Sequence, residues 1–188
     1  MDVRPVTPER WKDLEGLFGP NGAYANCWCM WWRMASRDFD RTAPAEKRLA
    51  LRRIVRGGGV PGLLAYEDGD PVGWVSIAPR EEFGRLERST TLKRVDERPV
   101  WSVVCFYIPR PNRGRGIAGA LVRGAVAHAR ERGARIVEAY PQDTSRGRRP
   151  AADIYTGVPS LFERAGFRQV ARAGSRSIMR KALRRAAG

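Results

Sequence analysis

Histidine is nearly missing from this chain of 188 residues, which has one, and lysine supplies only four of its 35 basic side chains. With three cysteines, a closed four-ligand zinc site would need Cys27, Cys29, Cys105 and His128 together. The chain lacks the paired Cys/His spacing that such sites show, so no metal is expected. The odd cysteine count, and the single residue between Cys27 and Cys29, argue against the disulfide framework of a secreted scaffold. Long apolar runs are lacking too. The opening MDVRPVTPERWKDLEG holds no signal-peptide core, and no later segment reaches the roughly 18 apolar residues of a membrane helix. A cytoplasmic location is the expectation.

Acidic charge is also short, with 20 carboxylates against 35 basic groups and a net charge of +15. Such an excess invites a nucleic-acid reading, because a basic face gains affinity by releasing counterions from phosphates. Arginine, however, supplies 31 of the 35, spread along the whole chain, a bias that GC-rich coding produces without selection for binding. Nucleic acid is therefore not the expected partner, and a polyanionic small ligand would need this charge only locally. Length and a hydrophobic content of 43% fit one domain spanning residues 1–188.

Residues 3–6 read as a strand, after which Thr7 and Pro8 start a helix with Trp11, Leu14, Leu17 and Phe18 at helical spacing. Thr42 is read as the cap of a second helix through Glu46, Leu49, Leu51 and Ile54, stopped by Gly57-Gly58-Gly59. The Asp68-Gly69 turn between two apolar runs predicts a hairpin over 63–78. Residues 80–98 read as a short helix and loop. Residues 100–108 are nearly all apolar, as a strand covered on both faces requires. A helix over 117–132 ends at Gly133, and a strand over 135–140 follows. Beyond a loop with Arg146, Arg148 and Arg149, Pro159 starts a short helix, and strands over 167–171 and 176–183 complete the chain.

The unit that carries chemistry is the strand over 100–108, the loop over 109–116 and the helix over 117–132. A glycine-rich turn from strand into helix aims unpaired N–H groups and the helix dipole at one point, which is a cradle for phosphate. Gly114 and Gly116 let backbone approach a ligand, Ala118 and Gly119 keep the first turn small, and Arg110, Arg113 and Arg115 add charge. A dinucleotide fingerprint would need an acidic ribose partner after the next strand, and a P-loop would need Lys-Ser/Thr; neither is present.

The segment Arg113-Gly114-Arg115-Gly116-Ile117-Ala118 resembles the R/Q-x-x-G-x-G/A motif of the GCN5-related N-acetyltransferase (GNAT) superfamily. Leu161-Phe162-Glu163-Arg164-Ala165-Gly166-Phe167 is similar to that superfamily's late Y-E-x-x-G-F segment, one strand and one helix downstream. The resemblance implies an α/β (α+β) fold: a mixed, mostly antiparallel sheet of about 6–7 strands, flanked by helices on both faces and splayed between the strands at 100–108 and 135–140. It implies residues 62–183 as the cofactor-binding half and 1–60 as the variable acceptor-side half. Acetyl-CoA is then the cosubstrate, held by Phe106, Tyr107, Ile108, Arg113, Gly114, Arg115, Gly116, Ile117, Ala118 and Gly119. Transfer to a primary amine of a small molecule, or of a peptide or protein, follows by direct attack in a ternary complex. The family also allows a homodimer.

Two positions depart from the family pattern. The tyrosine that often protonates the leaving thiolate falls at Phe162, and the position of a frequent glutamate base falls near Ser102. A regulatory module that binds an acyl-CoA without turnover is therefore the alternative. Glu138 and Tyr140 share one face of a strand that should be covered on both sides, and a buried carboxylate needs a reason. Glu138 as base, with Tyr140 or Tyr155 orienting substrate or protonating the thiolate, is one reading; an arginine-paired structural Glu138 is the other. His128 is expected to be an exposed helix residue, and Cys105 a small buried hydrophobe, with a covalent acyl-cysteine as its minor alternative. In Ala25-Asn26-Cys27-Trp28-Cys29-Met30-Trp31-Trp32, part should anchor to the core. Trp28, Trp31 and Trp32 are the expected aromatic wall of an acceptor pocket, suited to an apolar or cationic substrate.

Overall fold

The computed structural model describes residues 1–144, 147 and 154–183. The basic residues Arg146, Arg148 and Arg149 lie outside the described set. Seven strands form one sheet in the order β1-β2-β3-β4-β5-β7-β6. They are β1 (Asp2–Pro5), β2 (Gly62–Glu67), β3 (Asp70–Pro79), β4 (Trp101–Tyr107), β5 (Ile136–Ala139), β6 (Arg168–Ala173) and β7 (Arg176–Ala182). Among the described residues, only the β4–β5 pair is parallel. The helices are α1 (Trp11–Phe18), α2 (Ser36–Arg41), α3 (Pro44–Arg56), α4 (Gly84–Glu87), α5 (Ile117–Glu131) and α6 (Pro159–Glu163). This is the mixed sheet with helices on both faces that the motifs imply.

Side chains alternate across the sheet, and the alternation assigns each helix its face. Leu63 and Ala65 of β2, Val75 and Ile77 of β3, Val103 of β4, and Val137 and Ala139 of β5 pack with Leu121, Val122 and Ala125 of α5. Their neighbours Leu64 and Trp74 point the other way, onto Trp11, Leu14 and Phe18 of α1 and Leu51 and Val55 of α3. Both faces are therefore covered, which is why β4 reads as almost wholly apolar.

Two features differ from the reading of the sequence. Thr42 ends α2 rather than opening α3: its N–H and its hydroxyl both donate to the Asp38 carbonyl. Pro44 then begins α3, and Glu46 accepts from the Ala43 N–H at 3.1 Å, so the carboxylate of the third helical residue replaces the hydroxyl cap. His128 is buried rather than exposed, because α5 turns that face onto Trp101, whose ring centroid lies 5.7 Å from the imidazole.

The splay begins where β4 bends. Its register with β3 shifts between Ser76 and Ile77, which pair with Cys105 and Val103 and leave Val104 as an extra residue. A bulge of this kind kinks the strand that carries it. β4 pairs with β5 only through Trp101, Ser102 and Val103, and beyond that point the two strands separate.

On the sheet face opposite α5, Glu138 is fully buried and bound on both carboxylate oxygens. Arg80 donates to Oε1 at 3.0 Å and Arg180 to Oε2 at 2.5 Å. Tyr140 donates its hydroxyl to Oε1 at 2.5 Å, while Arg80 donates to the Tyr140 oxygen at 2.8 Å and Ser102 lies 2.8 Å from it. Arg80 also holds Glu87 and the Leu86 and Leu92 carbonyls, and Arg180 reaches Asp96. One carboxylate thus fastens the charged 80–98 segment to the sheet.

Removing that carboxylate takes away the one fully buried counter-charge of two buried guanidiniums and leaves them only the more exposed Glu87 and Asp96. Glu138→Ala is expected to cost about 3–5 kcal/mol, read as a lowered urea midpoint at constant slope. Burial, and then the nearby Arg132 charge, lower the pKa of His128. A folded-state pKa below the unfolded value means that the unfolded chain binds the proton more readily, so stability should fall as pH drops below about 6.5. His128→Asn should remove that part of the acid slope in thermal melts between neutral pH and about pH 5.

Candidate active site

The separation of β4 from β5 opens a cavity of about 720 Å³. One wall comes from the end of β4 and the start of α5: Cys105, Phe106, Tyr107, Ile108, Arg113 and Ala118. The facing wall comes from the segment between α1 and α2, with Tyr24, Cys27, Cys29, Trp31 and Trp32, and from Phe39 of α2. Residues 154–161 close a third side through Ile154, Tyr155 and Leu161. The segment that holds Tyr155 bridges the opened strands, since the Phe106 N–H donates to the Tyr155 carbonyl at 2.7 Å and the Gln142 N–H to the Gly157 carbonyl at 3.0 Å.

At the mouth, Gly114 (φ 79°) and Gly116 (φ 78°) both adopt left-handed backbone, and a Cβ on either would meet no atom within 4 Å. The space beside the turn is therefore open, and Gly116 caps the 15-residue helix α5. The first N–H groups of a helix have no intrahelical acceptor, so the turn has the donors and the room that a pyrophosphate needs. Arg113 donates to the Ile108 carbonyl at 3.0 Å, which holds its guanidinium at the cavity edge, whereas Arg115 is ion-paired with Glu67. Of the expected cofactor residues, Ile117 is instead a core side chain, and a Cβ on Gly119 would lie 3.4 Å from the Arg123 guanidinium.

The aromatic stretch divides. Trp31 and Trp32 line the cavity, but Trp28 does not. Five residues of this segment, Ala23, Ala25, Asn26, Trp28 and Cys29, have left-handed φ, which turns the Trp28 ring inward. There it stacks 6.5 Å from Trp11 and packs 5.6 Å from Phe18, over Gly22, where a Cβ would lie 2.4 Å from the indole nitrogen. The expectation of Trp28 as a pocket residue is corrected: it is core. No periodicity announces this, because the segment is neither helix nor strand.

Glu138 and Tyr140 are not among the cavity-lining residues. Of the two readings of Glu138, the geometry fits the arginine-paired structural one and not the base, and Tyr140 goes with it, because the alternation along β5 sends both to the Arg80 cluster. Burial, and then the Glu138 charge, push the Tyr140 hydroxyl well above the usual phenol range. Tyr155 does line the cavity; burial raises its pKa as well, while Arg176 pulls in the opposite direction. Phe162 is fully buried against Phe106 and Phe167, so no hydroxyl stands at that position.

The cysteines converge on the cavity. Cys29 Sγ lies 3.6 Å from Cys105 Sγ and accepts the Trp74 indole N–H at 2.9 Å. Contact with the Cys105 thiol, together with burial, raises the pKa of Cys29 well above the usual thiol range, and contact with Cys29 followed by burial does the same for Cys27. Both are neutral thiols. Among the described residues, no group of three or more His, Cys, Asp or Glu side chains could hold a metal ion. No helix of the described residues is long and apolar enough to cross a membrane.

Among the described residues the sheet is splayed at its one parallel pair, with a glycine-rich helix start beside the opening, and this is the arrangement of an acyltransferase fold. Residues 28–156 match the family model "Acetyltransferase (GNAT) family", well over half of the chain, and the chain belongs to that family. No curated protein matches it. Among solved structures it is similar to an acetyltransferase of the GNAT family from Streptococcus agalactiae, at 13% identity over 98% of this chain and 96% of that one, with a TM-score of 0.57. It is also similar to the ribosomal-protein-alanine N-acetyltransferase of Brucella melitensis, at 20% identity over 97% of this chain and all of that one (TM-score 0.54). A third is the PaiA N-acetyltransferase of Thermoplasma acidophilum in complex with coenzyme A, at 16% identity over 97% and 98% of the two chains (TM-score 0.53). At these identities the likeness shows the fold.

The division of the tryptophans is testable. Trp28→Ala should cost about 3–5 kcal/mol of stability by core truncation, measured by denaturant unfolding. Trp31→Ala, at a partly exposed position, should leave the unfolding midpoint nearly unchanged while raising the KM for the acceptor and not that for acetyl-CoA.

Proposed function

We propose that the protein transfers the acetyl group of acetyl-CoA to the primary amine of a small molecule held in this cavity. The observation that carries the reading is that the end of β4, the start of α5 and the 23–39 segment line one continuous space. In this reading residues 62–183 hold the cosubstrate and residues 1–60 the acceptor, within one domain. The pyrophosphate rests on the Gly114–Gly116 turn with Arg113 beside it. The pantetheine arm runs along Phe106 to Ile108, where it competes with the Tyr155 carbonyl for the Phe106 N–H. Trp31 and Trp32 hold the acceptor.

The reaction needs an amine lone pair aimed at the thioester carbonyl, hydrogen-bond donors for the oxygen that gains charge, and a proton for the departing sulfur. Of the two tyrosines considered, Tyr155 is the one on the cavity, and it is protonated at neutral pH. We assign it the protonation of the sulfur. Tyr155 gives its proton to the thiolate as the C–S bond breaks, and regains one from the nitrogen once the C–N bond has formed, directly or through water. No net proton leaves the site when a neutral amine reacts, so the sequence of steps has no need of the displaced Glu138. Glu138 and Tyr140 are assigned a structural role.

A folded Tyr155→Phe variant should lose about 10²-fold or more in kcat with little change in the KM for acetyl-CoA, measured by release of the CoA thiol. A loss of only a few fold would remove Tyr155 from this role. Tight acetyl-CoA binding by calorimetry, with no thiol release across a broad amine panel, would favour the sensor reading instead.

A further inference from the structure

We infer that the acceptor is a weakly basic amine on an aromatic or other apolar body, an arylamine being the type case, which enters the cavity uncharged. The inference rests on the transfer reading above and narrows its substrate class. Its ground is the distribution of charge around the cavity. Among the described residues that line it, Arg113 is the single one with a formal charge, and Arg113 sits at the cosubstrate end. The acceptor end is made of indole, phenol, phenyl and thiol groups. No described lining residue is a carboxylate, so an ammonium group would give up its water without gaining a counter-ion.

Ring faces are the usual substitute for a counter-ion, and here the protein's own cations use them. The Arg85 guanidinium lies 3.8 Å from the centre of the Trp31 ring, held by a bond of 2.6 Å to the Trp31 carbonyl. The Lys47 ammonium lies 3.7 Å from the centre of the Phe39 ring, and Trp31 and Phe39 meet edge to face at 5.1 Å. Asp40 offsets part of the Arg85 charge. Two cations behind the two rings still oppose a third in front of them. The cationic acceptor that tryptophans alone invite is therefore disfavoured, and the apolar one is kept. The chemistry agrees: a neutral nitrogen attacks without prior deprotonation, so a cavity with no facing carboxylate is competent for it. The C–N bond forms, the C–S bond breaks, and amine plus acetyl-CoA give amide plus CoA thiol.

The test is a CoA-release assay, with products confirmed by mass, at neutral pH on three acceptor sets: substituted anilines, phenethylamine, and a polyamine with a peptide N-terminus. The anilines should be preferred over phenethylamine by about tenfold or more in kcat/KM, as expected when one acceptor must shed a hydrated charge and the other need not. The polyamine and the peptide should be poorer still. Tyr24→Glu places a carboxylate at an exposed lining position. It should shift the preference toward phenethylamine. Asp153, next in sequence to Ile154 and outside the described residues, is tested by Asp153→Asn, which should keep the wild-type preference. A wild-type preference for the charged amines, or loss of amine transfer in Asp153→Asn, would overturn the inference and leave the transfer reading standing. No transfer to any amine, with acetyl-CoA bound, would overturn both.

Discussion

The buried carboxylate of Glu138 is the group on which the arrangement of this molecule depends. Its two oxygens take Arg80, Arg180 and Tyr140 at the centre of the sheet. Through Arg80 it fixes the Leu86 and Leu92 carbonyls, and through Arg180 it reaches Asp96. The 80–98 segment is mostly charged, and these charge-assisted bonds seat it on the sheet together with its few buried apolar side chains, Phe83, Leu86 and Leu92. Phe83 and Leu86, which that segment delivers, pack in the same cluster as Trp32. The aromatic wall of the cavity is thus supported from behind by an ion pair with no part on the cavity surface.

That arrangement separates two roles that the sequence places side by side. Residues two apart on a strand share a face, so Glu138 and Tyr140 go together, and the face they share is the one opposite α5. The polar groups at the opening reach it from elsewhere, and Tyr155 does so because the 154–157 segment spans the opened strands. The bulge at Val104 is what creates the space. It bends β4 away from β5 after three paired residues, and it supplies the cavity with Cys105, Phe106 and Tyr107.

Much of the fold was legible in the sequence for simple reasons. The apolar runs of β2 and β3, the Asp68-Gly69 turn between them, the apolar run of β4 and the glycines before α5 each report local composition or a local backbone demand. The Gly114–Gly116 turn was legible because left-handed backbone is written in glycine. His128 and Trp28 were not legible. His128 lies on an arginine-rich helix, yet its position faces Trp101, and only the docking angle of α5 decides that. Trp28 lies in a stretch without period, where five left-handed residues set the direction of each ring.

The sequence by itself determined the elements, the two-faced sheet, the glycine turn before α5 and the absence of a usual acid at position 162, because each depends on residue type and short spacing. Tertiary structure alone decided which polar groups face the cavity. Glu138 and Tyr155 are both polar side chains and are parted there by their surroundings: one is enclosed by arginines 58 and 42 residues away in sequence, and the other is carried to the opening by a loop. Contacts over such separations are set by how sheet, helices and loops pack, and no local pattern encodes them.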